Sequence, residues 1–136
     1  MSDIRPFILD IPQAEIDDLH RRLDAARWPE KEPVNDWSQG APLATLRELV
    51  DHWRNHYDWR ACEARLNAFG QYVTEIDGLD IHFLHIRSSR SDAVPLVMTH
   101  GWPGSVIEFL EAIPLLTEPE EGMAFHVVAP SLPGYG

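Results

Sequence analysis

The sequence predicts an α/β fold: a helical amino-terminal extension, then a β-hairpin, then a parallel crossover unit. Three observations carry this. Apolar residues recur at helical spacing up to Gly70 and with a period of two beyond it. Asp77-Gly78 lies between two strand-like runs and suits a tight hairpin turn. Last, an apolar run at Leu96–Met98, a glycine-rich turn, a helical stretch and a second apolar run at Phe125–Ala129 follow one another, the order that a parallel pair requires. The expected division is 1–70, helical, and 71–136, sheet-forming, within a chain of 136 residues that is long enough for one real core.

From Pro12 to Arg27, Ile16, Leu19, Leu23 and Ala26 fall on one helical stripe. Acidic Glu15, Asp17 and Asp18 come early and Arg21, Arg22 and Arg27 late, as the helix dipole prefers. Trp28-Pro29 ends that helix, and a polar connection from Glu30 to Pro42 follows with Trp37 as its expected apolar anchor. Leu43, Leu46, Val50, Trp53 and Tyr57 mark a second helix, continued after a break at Asp58 by Trp59, Cys62, Leu66 and Phe69. Tyr72–Ile76 and Ile81–Ile86 are the hairpin strands. Ile81 and Phe83 lie on one face of the second and Leu84 and Ile86 on the other, so burial on both faces is expected. Ser105 with Glu108 reads as a capping box, opening a helix through Val106, Phe109, Leu110 and Ile113 that Pro114 kinks or divides.

Composition narrows the function. Apolar residues make up 44% and charged residues 24%, ordinary for a soluble globular chain. Against 22 acidic side chains stand 11 basic ones, and the net charge of -11 repels phosphate backbones and anionic lipid surfaces. Nucleic acid and membrane are therefore not expected partners. One cysteine, Cys62, precludes an internal disulfide framework and, with no long apolar span, leads to the expectation of a cytoplasmic protein.

The densest chemistry lies in Met98–Ile113, where His100-Gly101-Trp102-Pro103-Gly104-Ser105 joins a strand end to a helix start. Open α/β sheets bind ligands at such junctions. Glycines there let a group approach the backbone, and Pro103 stiffens the loop, leaving the Trp102 amide fixed in direction. One reading is a rigid donor for an oxyanion; the other is a tight turn made by Gly101 and Gly104 with Trp102 filling core.

Elsewhere the pattern is structural. His82 and His85 are three apart on a strand and point to opposite faces. His52 and His56 share a helix face but lack a third metal ligand, and Cys62 falls in an apolar stripe. Asp77 and Asp80 belong to the hairpin turn and Asp92 to a polar loop. No metal site is expected.

The loop, followed by Glu108-Phe109 and by Pro130-Ser131-Leu132-Pro133-Gly134-Tyr135-Gly136, strongly resembles the α/β-hydrolase-fold epoxide hydrolases of the microsomal type. Upstream, Arg27-Trp28-Pro29, Tyr57-Asp58-Trp59-Arg60, Leu66-Asn67 and Ile76-Asp77-Gly78-Leu79 resemble that family's helical extension and first strands. The resemblance implies an enzyme that opens epoxides to diols through an aspartate ester, with no metal or organic cofactor. It implies that His100, Gly101, Trp102 and Pro103 line the substrate site, that the Trp102 amide belongs to the oxyanion hole, and that the Trp102-Pro103 bond is cis. His100 would be a structural hydrogen-bonding group rather than the base. The nucleophile, cap tyrosines and catalytic histidine of the family would lie beyond Gly136, so the chain is expected to be an amino-terminal fragment, inactive alone. The strand at Leu96 would then have one open edge, and self-association through it is expected. Two alternatives remain: a related hydrolase such as a haloalkane dehalogenase, and a non-catalytic interaction module.

Overall fold

The computed structural model describes residues 3–135. Its elements are β1 (Ile4–Pro6), α1 (Gln13–Asp24), α2 (Leu43–Asn55), α3 (Trp59–Asn67), β2 (Gln71–Ile76), β3 (Leu79–Ile86), β4 (Val94–Val97), a 3-10 turn (Val106–Phe109), α4 (Ala112–Thr117) and β5 (Phe125–Pro130). The mixed α/β architecture is the expected one.

Two compact units are present, Asp10–Arg60 and the sheet-bearing remainder, which joins the residues up to Leu9 to those from Ala61 onward. In the first unit α1 and α2 pack on one another. The Arg54 guanidinium grips both carboxylate oxygens of Asp24 at 3.0 and 3.1 Å, and Glu32 accepts the Leu43 amide at the start of α2. Arg47 lies over the Trp28 ring, 5.6 Å from its centroid. Trp37 is not an anchor. It is 65% exposed, because the connection around it forms no element that could cover an indole.

In the second unit five strands run in the order β1-β2-β3-β5-β4. β2 and β3 form the expected hairpin, with Asp77 at φ 51° and Gly78 at φ 82°, the consecutive left-handed pair that matches strand twist. β5 is antiparallel to β3 and parallel to β4. The core is built on Leu84, Val127 and Ile113, all fully buried, with Leu66, Val106, Leu110 and Ala129 around them. Burial of both Phe83 and Leu84 confirms that β3 is covered on two faces. Cys62 packs against the same cluster. α3 contributes Leu66 to it, so the boundary between units falls ahead of Gly70.

One element has no counterpart in the sequence reading, and one expectation fails. β1 has no period to announce it, being three exposed residues, one a proline, paired with Thr74, Val73 and Tyr72. The expected helix from Ser105 through Ile113 is instead a four-residue 3-10 turn followed by α4. Pro114 explains the division: a continuous helix would set its ring against the Leu110 carbonyl and lack its N–H, so it is accommodated in the first turn of α4.

Candidate functional site

β4 and β5 are parallel, and the chain leaves the carboxyl end of each in a loop: Met98–Ser105 after β4 and Ser131–Tyr135 after β5. The two loops are joined by His100. Its side chain is only 3% exposed, with the Tyr135 ring edge-on at 5.5 Å. The Leu132 amide donates to Nε2 at 3.1 Å, and Nδ1 faces the Gly101 carbonyl at 3.2 Å. Because a backbone N–H can only donate, Nε2 accepts; the ring proton is then on Nδ1 and points at Gly101. His100 is thus a neutral structural ring with both nitrogens engaged, not a free base.

Gly101 marks the centre of the loop. Its carbonyl also accepts from the Gly104 amide at 2.7 Å, so two donors hold one oxygen. The same peptide carries the Trp102 N–H, which makes no hydrogen bond among the described residues. The Trp102-Pro103 bond is cis, as the resemblance implies. Gly101 has open space where a side chain would be, whereas a Cβ on Gly104 would collide with the Glu108 carboxylate. A side chain at Gly104 would have to displace the flexible Glu108 carboxylate, whereas one at Gly101 would meet nothing.

The structure also decides between the two readings of Trp102 and alters the expected capping box. Trp102 does not fill core, since its side chain is 83% exposed. Ser105 caps the following turn by accepting the Ile107 amide at 3.4 Å, and Glu108 donates its own amide to the Ser105 carbonyl. Four residues of 3-10 geometry have little macrodipole, so this turn offers no helix terminus to an anion.

A polar chain that the sequence does not announce lies behind the second loop. The Ser131 amide donates to the His82 carbonyl at 2.9 Å, and Ser131 Oγ meets His82 Nδ1 at 2.9 Å. His82 Nε2 reaches Gln71 Oε1 at 3.0 Å, and Gln71 donates to Asn67 Oδ1 at 2.7 Å. Burial holds the His82 pKa below its ordinary value. In sequence terms His82 stands out only as half of a His-x-x-His pair; the structure sends it to the Phe7 side and His85 to the Tyr72 side, on opposite faces.

The remaining candidates do no chemistry in common. The exposed rings of His52, on α2, and His56, at its C-cap, are tilted with centroids 5.8 Å apart, and among the described residues no three His, Cys, Asp or Glu side chains gather to hold a metal ion. Asp80 pairs with Arg5 and Asp92 with Arg90, each on the surface. Within the helical unit, Ile16, Leu19, Trp53, Tyr57 and Trp59 line an apolar cleft of about 560 Å³. No described helix is long and apolar enough to cross a membrane.

Comparison with known proteins gives these loops a context. Residues 4–109 match the family described as "Epoxide hydrolase N terminus". A Stigmatella aurantiaca protein assigned as an epoxide hydrolase is 59% identical over 138 residues, covering 98% of this chain and 31% of its own length. Juvenile hormone epoxide hydrolase 1 of Ctenocephalides felis is 41% identical, over 98% of this chain and 30% of its own. Among solved structures, Aspergillus niger epoxide hydrolase superposes with a TM-score of 0.87 at 40% identity, covering 98% of this chain and 36% of that one. The chain spans about a third of the length of the curated relatives it matches. In sequence and in its α/β-hydrolase architecture, it belongs to the epoxide hydrolase family and corresponds to that family's amino-terminal portion.

Proposed function

We propose that this chain supplies the oxyanion-stabilising loop of an enzyme that opens epoxides to vicinal diols through an aspartate ester. The Trp102 amide is the donor, and His100, Gly101, Trp102 and Pro103 border the substrate. Hydrolysis of an ester places negative charge on oxygen, and a donor already oriented toward that position needs no reorganisation as the charge develops. The single observation that carries the reading is the Gly101-Trp102 peptide: its carbonyl is held by His100 and Gly104 while its N–H has no partner among the described residues.

The nucleophilic aspartate and the histidine base are not assigned to any of these 136 residues. Asp80 and Asp92 are paired on the surface, and both nitrogens of His100 are engaged. The chain alone is accordingly expected to be inactive. The test is to fuse it ahead of the remaining sequence of the Stigmatella relative and assay diol formation from styrene oxide. We expect diol from the fusion and none from the isolated chain; a correctly folded fusion without turnover would overturn the assignment.

The same reading includes a reducing, cytoplasmic location, supported by the single Cys62, and self-association of the isolated chain through β4. β4 is at the sheet edge. Val94 donates to Ala124, just ahead of β5, and Met98 to Val128 within it, so by alternation Val97 directs its peptide groups outward, and its side chain is 67% exposed. Pro95, on the same side, withholds one donor and limits the pairing to a short segment. Light scattering is expected to give a dimer that Val97→Lys converts to monomer; a monodisperse wild-type monomer would contradict it.

A further inference from the structure

Resting on the oxyanion reading of Trp102, we propose that His82 and Ser131 are positioning residues for that donor, acting through His100. Ser131 is held to β3 twice, by its amide on the His82 carbonyl and by its hydroxyl on His82 Nδ1, both at 2.9 Å. The next residue, Leu132, donates its amide to His100 Nε2. The placement of Ser131 therefore decides whether His100 receives its donor.

Each proton in the chain has a fixed place. The Leu9 amide donates to Asn67 Oδ1 at 2.9 Å and the Leu9 carbonyl accepts from Asn67 Nδ2 at 2.8 Å, which settles the orientation of Asn67. Gln71 must then donate to Asn67 and present Oε1 to His82. His82 carries its proton on Nε2, and the Ser131 hydroxyl donates to Nδ1. Burial of His82, which lowers its pKa, favours the same neutral ring. His100 has the opposite tautomer, with its proton on Nδ1 facing the Gly101 carbonyl.

The last link is covalent. The Gly101 carbonyl and the Trp102 N–H share one planar peptide, so fixing the oxygen fixes the direction of the proton. A hydrogen bond accepted by that carbonyl also polarises the N–H and makes it a better donor. A polar chain running from the Leu9 backbone through β2 and β3 thereby ends at the amide offered to the oxyanion.

The experiment is 15N NMR of the imidazole nitrogens in the isolated chain near neutral pH, with hydrogen exchange at Leu132. In the wild type, His100 should be protonated on Nδ1 and His82 on Nε2. In Ser131→Ala, His100 should lose its single tautomer and Leu132 exchange should rise about fivefold to tenfold, the effect of losing one hydrogen bond. Ser131→Thr, which keeps the hydroxyl, should restore the His100 signature. If Ser131→Ala does not fold, Gln71→Met removes the acceptor for His82 and is expected to disturb both rings. A wild-type His100 protonated on Nε2 overturns the proposal, as does a folded variant in which His82 changes and His100 does not. None of these signals depends on turnover, so failure of the relay is distinguishable from failure of Trp102 as the donor.

Discussion

In the sheet-bearing unit Leu84, Ile113 and Val127 are completely buried, whereas α1 buries no side chain and α2 only Leu43. Leu49 and Trp53, on the latter helix, are 61% and 44% exposed. Both regions carry apolar stripes of comparable regularity in the sequence. Periodicity reports which residues share a face, but burial requires something packed on that face. In the sheet unit α3 and α4 supply it, and the two loops stand on that buried frame. The α1 and α2 pair is ordered instead by polar and cation–π contacts at its margins, Asp24 with Arg54, Glu32 with the Leu43 amide and Arg47 with Trp28.

The sharpest way to break this contrast is a pair of truncations read by denaturant titration. Leu84→Ala should cost about 2–5 kcal/mol, since a cavity is left in a packed core. Leu49→Ala should stay within about 0.5 kcal/mol, as for an exposed position. Equal losses would abolish the distinction.

A smaller effect follows from pH. His82 has a folded pKa below its unfolded 6.5, so between these values the unfolded chain binds more protons. Stability should be fully present above 6.5 and fall as pH drops below it. Lower amide protection factors, referred to the intrinsic exchange rate at each pH, are the expected sign in β2, β3 and Ser131–Leu132, and His82→Gln should remove this part of the acid sensitivity. The exposed Arg5–Asp80 pair borders the same surface pocket as His82, so a slope that survives His82→Gln would trace to other groups.

Much of the fold was legible because its signals are local. The Asp77-Gly78 turn requires two left-handed residues, and Asp-Gly announces them. The junction at His100–Ser105 was legible from a strand end, two glycines and Ser105. The split at Leu110–Ala112 was misplaced because Pro114 acts on the carbonyl four residues before it. β1 was invisible, since three exposed residues including Pro6 bear no pattern and are paired only because β2 offers an edge. Least legible was the polar chain from Asn67 to Ser131: its bonded partners lie as far as 49 positions apart, as His82 and Ser131 do, and no periodicity connects them. Trp37 and Trp102 misled for one reason, that a large aromatic side chain suggests burial, while neither has neighbours in the described structure to cover it.

The central claim is that the Trp102 N–H is a preset donor to an oxyanion. Its most direct test replaces the Trp102 amide by an ester in the active fusion, removing one hydrogen and leaving the side chains in place. The account predicts a fall in kcat of about 10²–10³ with little change in KM. An unchanged kcat would contradict it.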